Sequence, residues 1–565
     1  MRLRRSSSLT ASLLSGALLC LSFPRFSIFP LAWIALVPHL HFILRIPSWR
    51  RLLAGHFLLS LVYFGGTLYW IPRVLTTYGH LSTAAAAGVF LLMVLVMGLF
   101  LLPFSWLTRW VAARSPALAL WAAPGFWLLT EFLRNYYMVG GFPWALLGYS
   151  QYPFQWLIQI ADLSGVYLLS FLIVLGNCAL ARISHTQSTA EPESSTLTAL
   201  PGLGLLEVVH DYGSGGLGRN AFSARRFRLL ATTGWEKFGL VGLVELKKRR
   251  LAVVFGTLFL AANLYGVYRV HFWEIPSTTP LKVSLVQANI ALSGSREYYA
   301  KMYFKSLPAY YQKAAQEGAE WVIFAEAQNP FLFRADLPFT TFWQNQAREA
   351  GVGLLLNGSR LEAGSERYFN SAFLIDGRGE TAYRYDKIHL VPFGEYLPYG
   401  RILGFAGPLV QEVGGFSPGL QTVQPGRVKT TRFATLICYE SIFPQLSRQF
   451  VRAGAMVLVN MTNDSWFGPT AAPEQHLQMA TFRAVENRKP LLRCANSGYS
   501  AFISPLGRVR RRLGLFEEGM LTQQVAGNRY RSLYSRIGDG FNLSLIMGTM
   551  LWSVVNALGW RREGE

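Results

Sequence analysis

Three polar side chains stand where short apolar runs end. Glu326 follows Trp321–Phe324 (WVIF), and Cys438 closes the run FATLIC and opens a helix-like segment. Lys387 stands between them in the chain, also at a strand end. A thiol at a strand-to-helix junction feels the helix N-terminus, which lowers its pKa. A carboxylate beside it can take the thiol proton, and an ammonium can stabilise an oxyanion. A Glu, a Lys and a Cys brought together therefore form a site for nucleophilic acyl transfer. The separations of 61 and 51 residues leave that meeting to the fold. An isolated Cys is equally read as a buried packing residue.

The elements that must position these groups alternate in type. Leu281–Gln287 is a strand with β-branched alternation, and 296–318 has helical periodicity. Short apolar runs at 321–324, 352–356, 372–376, 433–438 and 456–460 are bounded by turn residues, and helical patterns lie near 341–350, 441–453 and 473–487. That alternation predicts an α/β domain over 280–530, its sheet covered by helices. Strand ends are where such domains gather their reactive groups.

The rest of the chain is of another kind. Of its 565 residues 51% are hydrophobic and only 15% charged, against about 25% charged in average soluble proteins. Mean hydropathy is +0.26. This excludes a wholly soluble, disordered or collagen-like chain. Lys and Arg number 53 against 31 Asp and Glu, a net charge of +22. With this apolar content the excess implies basic cytoplasmic loops of a membrane protein and no nucleic-acid partner. Four cysteines are too few for a disulfide framework, and Cys20 and Cys178 lie in apolar runs.

A span needs about 20 apolar residues. Candidates lie near 8–24, 26–45, 53–73, 83–106, 117–133, 160–182, 251–271 and 541–560. The basic start and short apolar core of the first resemble a signal peptide. The bulky Leu19 before Cys20 and the spans that follow at once make it an uncleaved span. Basic residues mark one side: Arg2, Arg4 and Arg5; Arg45, Arg50 and Arg51; Arg109 and Arg114; Lys247 to Arg250; Arg561 and Arg562. All fall inside if both chain ends are cytoplasmic, which puts the polar domain outside. The expected organisation is spans one to six over 1–183, a partly disordered cytoplasmic linker over 184–250, span seven at 251–271, the polar domain, and span eight at 541–560. The Gly-rich stretch 211–218 lacks the Lys-Ser/Thr ending of a phosphate loop.

Several motifs carry a family resemblance. Tyr385-Asp386-Lys387-Ile388-His389-Leu390-Val391-Pro392-Phe393-Gly394-Glu395-Tyr396 resembles the lysine motif of the nitrilase superfamily, closest to its membrane branch, apolipoprotein N-acyltransferase. Ile437-Cys438-Tyr439-Glu440 is similar to the nucleophile motif of that branch, and Asn460 to Gly468 to its next strand and loop. Arg483 to Arg488, Arg493 and Asn496 to Ser500 also fit it. So do Phe142-Pro143-Trp144, Leu147 to Gln151, Glu131 with Arg134, and Tyr69-Trp70-Ile71 in the apolar half. Only 184–250 lies outside the resemblance. One departure is the setting of Glu326, Phe-Ala-Glu-Ala-Gln, where the family has Trp-Pro-Glu-Thr/Ser-Ala. Glu320 precedes the strand and is at its wrong end for a base.

The resemblance implies a helical membrane bundle of about eight spans joined to an αββα sandwich. It implies Cys438 as nucleophile, Glu326 as base and Lys387 as oxyanion donor. Glu395 and Glu440 would orient the lysine, and Tyr439 would line the acyl site. The implied partners are a phospholipid donor, a diacylated apolipoprotein acceptor and membrane lipids, acting on a monomer without cofactor or metal. The implied location is the bacterial inner membrane, with the domain on the periplasmic side. The loop 404–419 is read as an apolar lid or an ordinary connection. Cys494 is read as packing, and a Cys438–Cys494 disulfide would block the nucleophile. His389 supports the lysine loop, His476 has no metal-ligand cluster around it, and Glu131 and Arg134 form an interfacial ion pair. Two other functions compete: a membrane-anchored amidase on a small amide, and a transporter or lipid-binding protein whose domain has lost activity.

Overall fold

The computed structural model describes residues 3–46, 48–189, 234–397 and 415–562. The apolar segments of the sequence are mainly helical, but among the described residues four helices, or five with a bent pair, are long and apolar enough to cross a bilayer, against the eight spans expected. Thr83–Ala112, Pro116–Tyr137, Val166–Ser184 and Arg249–His271 are long and apolar enough to cross a bilayer. Trp49–Thr67 and Ile71–Thr77 make a fifth crossing if taken together, bent by 59°. Pro72 sits in the first turn of the second piece, where its missing N–H costs nothing. Leu9–Leu21 and Phe29–Arg45 are shorter apolar helices. The last helix, Gly540–Arg562, packs on Pro116–Tyr137 at Gly125, where a Cβ would lie 2.2 Å from the Thr549 hydroxyl. Most of the expected linker, 190–233, lies outside the described residues.

Among the described residues twelve strands form two six-stranded sheets. In chain order they are β1 (Leu281–Gln287), β2 (Trp321–Phe324), β3 (Gly353–Leu361), β4 (Tyr368–Ile375), β5 (Thr381–Asp386), β6 (Gly426–Val428), β7 (Thr431–Ile437), β8 (Val457–Thr462), β9 (Leu491–Ala495), β10 (Ala501–Ile503), β11 (Val509–Arg512) and β12 (Gly519–Val525). One sheet runs β12-β1-β2-β3-β4-β5, the other β11-β10-β9-β8-β7-β6. Both share one pattern. Three parallel strands, β1-β2-β3 or β7-β8-β9, have one antiparallel strand on one flank and two on the other. The sheets face each other through Trp321 and Phe433, whose rings lie 4.7 Å apart. Parallel strands buried on both faces need helices outside. Leu307–Gln316 and Leu337–Ala350 cover the first sheet through Tyr311, Phe339 and Trp343. Pro444–Arg452 and Ala472–Asn487 cover the second.

Ala472–Asn487 is polar in sequence (APEQHLQMATFRAVEN), yet every residue but Glu474 is buried. It lies between the second sheet and the helical bundle, so each polar group needs a partner. Gln475 Oε1 accepts the indole N–H groups of Trp70 and Trp144 at 3.2 and 2.7 Å, and its amide donates to the carbonyls of Pro24 and Thr67. Arg483 donates to Tyr149 and Glu486. Glu486 in turn accepts the N–H of Val166 at 3.0 Å, a carboxylate on a helix N-terminus. Beyond the helix end, Arg488 donates to Asp162 at 2.8 Å, and Asp162 also takes Arg269 and Tyr265. Breaking a buried ion pair from one side leaves uncompensated charge. Asp162→Asn should therefore cost about 3 kcal/mol of stability, read as a lowered thermal midpoint of the full chain in detergent.

Candidate active site

β7 ends at Ile437, and the chain turns at once. Cys438 has φ +51°, in the left-handed region that non-glycine residues seldom enter. Holding it there costs on the order of 1–3 kcal/mol. The turn is stapled by Glu440. One carboxylate oxygen accepts the N–H of Ile437 at 2.7 Å. The other accepts the Tyr385 hydroxyl at 2.7 Å and the N–H groups of Ile388 and His389 at 2.7 and 3.1 Å. Glu440 thus ties the cysteine turn to the backbone just past Lys387. It does not hold the ammonium, as expected of it; that is done by Glu395.

Lys387 leaves β5 and is 1% exposed. Its Nζ lies 2.9 Å from Glu395 Oε1 and 3.6 Å from Glu326 Oε1. Glu326 leaves β2; its Oε1 accepts Asn370 Nδ2 at 2.8 Å and its Oε2 accepts the Asn463 N–H at 3.1 Å. Asn370 Nδ2 also lies 3.0 Å from Glu395, and Asn357 Nδ2 orients that amide by donating to Asn370 Oδ1 at 2.8 Å. The Glu326 carboxylate and the Lys387 ammonium are both close enough to Cys438 to act on its thiol, the first raising its pKa and the second lowering it. The fold brings Glu326, Lys387, Cys438 and Glu395 to one buried point.

Burial, and then the neighbouring Glu395, push Glu326 above the usual carboxylate range, with Lys387 opposing. Burial works against the Lys387 charge, but Glu395 and Glu326 outweigh it and hold the ammonium above its ordinary value. Burial and Glu326 push the Cys438 thiol up, with Lys387 opposing. The expected lowering by a helix N-terminus is overturned. Only the 3-10 turn Cys438–Ile442 follows the strand, and desolvation dominates. The thiol is thus protonated at rest beside a carboxylate whose raised pKa suits it to take that proton.

The other expectations have mixed outcomes. Tyr439 donates to the Gly141 carbonyl at 3.0 Å, reaching into the helical bundle. Gly141 has φ +101°, and a Cβ there would lie 2.2 Å from the Asn135 carbonyl. All four cysteines are free, and Cys494 packs between the sheets, its thiol 3.3 and 3.2 Å from the Val286 and Ile323 carbonyls. His389 stacks on Phe443 at 4.3 Å. Glu320 pairs with Lys429 at the far end of β2. Glu131 and Arg134 are buried and not ion-paired. Glu131 accepts Trp127 Nε1 and the Leu147 N–H, while Arg134 donates to the Ala145 carbonyl and lies over the Phe64 ring. Of the loop 404–419, residues 404–414 lie outside the described residues. Its return end is stitched to the site: Phe416 N–H donates to Glu395 O at 2.9 Å and Gly419 N–H to Lys387 O at 2.8 Å. Asn370, Asn463, Ser441 and a role for His476 were not legible beforehand. A polar Asn370 inside the apolar run of β4 was the available signal.

Lys387→Met removes the cation that opposes the rise of the thiol pKa. Alkylation of Cys438 by iodoacetamide at pH 8 should slow by at least about tenfold, followed by intact mass.

Known proteins resemble this chain in both halves. Residues 15–179 match the model of the apolipoprotein N-acyltransferase N-terminal domain, and 282–534 that of the carbon-nitrogen hydrolases. An apolipoprotein N-acyltransferase of Geobacter metallireducens is 35% identical, over 98% of this chain and 95% of its own. One of Haemophilus ducreyi is 29% identical over 96% of each chain. Among solved structures, an amidase from Nesterenkonia sp. AN1 is similar over 43% of this chain and 93% of its own, at 19% identity and TM-score 0.34. With its two matched halves and a full-length relative at that identity, the chain belongs to the apolipoprotein N-acyltransferase family, membrane acyltransferases of the carbon-nitrogen hydrolase superfamily.

Proposed function

We propose that the chain carries an acyl group from a phospholipid to the N-terminal amine of a diacylated lipoprotein, in two steps through a thioester on Cys438. The observation that carries this reading is the buried Glu326–Lys387–Cys438 cluster: Lys387 Nζ lies 3.6 Å from Glu326, and both act electrostatically on the thiol. In the first step the sulfur attacks the sn-1 ester carbonyl and its proton passes to Glu326. Negative charge on the tetrahedral oxygen is stabilised by the Lys387 ammonium. The C–O bond breaks, and Glu326 returns the proton to the departing glycerol oxygen, leaving a lysophospholipid and a thioester. In the second step the α-amine of the acceptor attacks the thioester and loses a proton to Glu326. The C–S bond breaks, the sulfur regains that proton, and an amide is released. Substrates alternate on one nucleophile, a ping-pong scheme.

The helical bundle supports lipid substrates over a small soluble amide. Lifting a lipid into water costs about 0.8 kcal/mol per methylene, and a site tied to the bilayer avoids this. Tyr439, next to the nucleophile, bonds to Gly141 in the bundle. The arginines and lysines argue for a domain outside the cytoplasm, and the family for the inner membrane of a bacterium. Contacts with the domain are made by Asn135, Val166 and Arg269, near helix ends opposite those that carry Arg114, Arg182 and Arg250. The reading takes the chain as a monomer.

An assay with phospholipid and a synthetic diacylated lipopeptide tests the scheme. Wild-type protein given phospholipid alone should gain the mass of one acyl chain on Cys438, then lose it when lipopeptide is added. Cys438→Ser should form no thioester and transfer no acyl group; transfer at the wild-type rate rejects the mechanism. Release of ammonia from a small amide, with no acyl adduct from phospholipid, establishes the amidase instead. Because Glu326 must be ionised to take a proton, thioester formation should fall as pH drops through its raised pKa.

A further inference from the structure

Behind the nucleophile lies a second string of polar groups, buried and out of reach of substrate. Ser441, His476 and Asp464 are 0, 1 and 1% exposed. His476 Nδ1 is 2.9 Å from Asp464 Oδ1, and Nε2 is 2.8 Å from Ser441 Oγ. The order resembles a hydrolase triad, but Ser441 is sealed from solvent and cannot be a nucleophile. What the string does reach is a peptide carbonyl. The Cys438 oxygen lies 3.0 Å from Ser441 Oγ, 3.2 Å from His476 Nε2 and 3.4 Å from Asn460 Nδ2.

Three polar side chains thus converge on one carbonyl, and this carbonyl belongs to the residue held at φ +51°. The ring of His476 is fixed from every side. Asp464 is itself held by Arg493 at 2.7 Å, and Arg493 NH2 lies 3.1 Å from Nδ1. The indole of Trp144, from the helical bundle, packs against the imidazole with centroids 5.8 Å apart. The neighbouring Gln475 accepts the N–H of that same indole.

We propose that Ser441, His476 and Asp464 are positioning residues that hold Cys438 in its left-handed turn, and that Trp144 extends this support into the membrane half. The proposal rests on the reading of Cys438 as the acylated nucleophile. The string fixes where the sulfur stands relative to Glu326 and Lys387, so its loss slows attack without weakening lipid binding.

The test follows acyl-adduct formation on Cys438 of the full-length protein in detergent, with phospholipid and no acceptor. His476→Phe, which keeps a ring but no N–H, should slow adduct formation by about 100-fold with the KM for phospholipid unchanged. His476→Gln, which can place a polar amide near the Nε2 position, should recover most of that loss. Ser441→Ala, a smaller change, should slow the same step by about tenfold and carries the test if the Phe variant does not fold. Wild-type adduct rates in Ser441→Ala or in folded His476→Phe overturn the proposal. So does equal slowing of the Phe and Gln variants, or a loss confined to KM. Failure of the wild-type protein to form any adduct strikes instead at the nucleophile itself, and the positioning role falls with it.

Discussion

The buried ammonium of Lys387 is the constraint around which the site is arranged. An isolated cation in such a place would lose its proton, because burial disfavours the charged form. Glu395 at 2.9 Å and Glu326 at 3.6 Å reverse that balance. The same arrangement settles Glu326. Two carboxylates around one ammonium leave one of them less well compensated, and it is Glu326 that lies farther from the ammonium and next to the thiol. Asn370, donating to both, keeps the carboxylates apart in orientation while sharing one amide between them. The raised pKa of Glu326 is thus made by geometry around a cation, with no change of residue type.

The two sheets repeat one strand pattern, yet the reactive groups use it unevenly. Glu326 leaves the middle parallel strand of the first sheet, Lys387 its edge, and Cys438 the first parallel strand of the second. Glu440 compensates for that spread by joining the turn after β7 to the turn after β5 with backbone hydrogen bonds. A carboxylate with two oxygens can take several N–H groups at once, which no neutral side chain of that length does as well.

Much of this was legible in the sequence, for identifiable reasons. Strands β1, β2, β7 and β8 are apolar runs closed by turn residues, and all were expected near their observed bounds. The helices at 337–350 and 472–487 were visible by period. β9 was not, because its centre is Arg493, an unlikely residue for a buried strand until Asn460 and Asp464 take its guanidinium. β11 reads VRRR, with no apolar alternation to mark it. The helix expected over 296–318 is broken by a π turn at Met302–Ser306, just ahead of Pro308, whose missing N–H disturbs the regular ladder. The expected helix at 441–453 starts only at Pro444, after the turn that the nucleophile needs. The family motifs named Glu326, Lys387, Cys438 and Glu395. They were silent on Asn370 and Ser441, since a polar residue in a strand or turn announces no partner.

The helix Ala472–Asn487 has no free side. One flank lies on the second sheet and the other meets indoles, a tyrosine and a helix N-terminus from the bundle. Cutting the chain between bundle and domain would wet one flank and strip Gln475, Arg483 and Glu486 of the groups they were matched to. A trimmed, water-soluble version made for crystallisation or screening would begin life with a wounded wall directly behind its thiol. Simplifying this molecule therefore means redesigning that helix, not merely choosing where to cut.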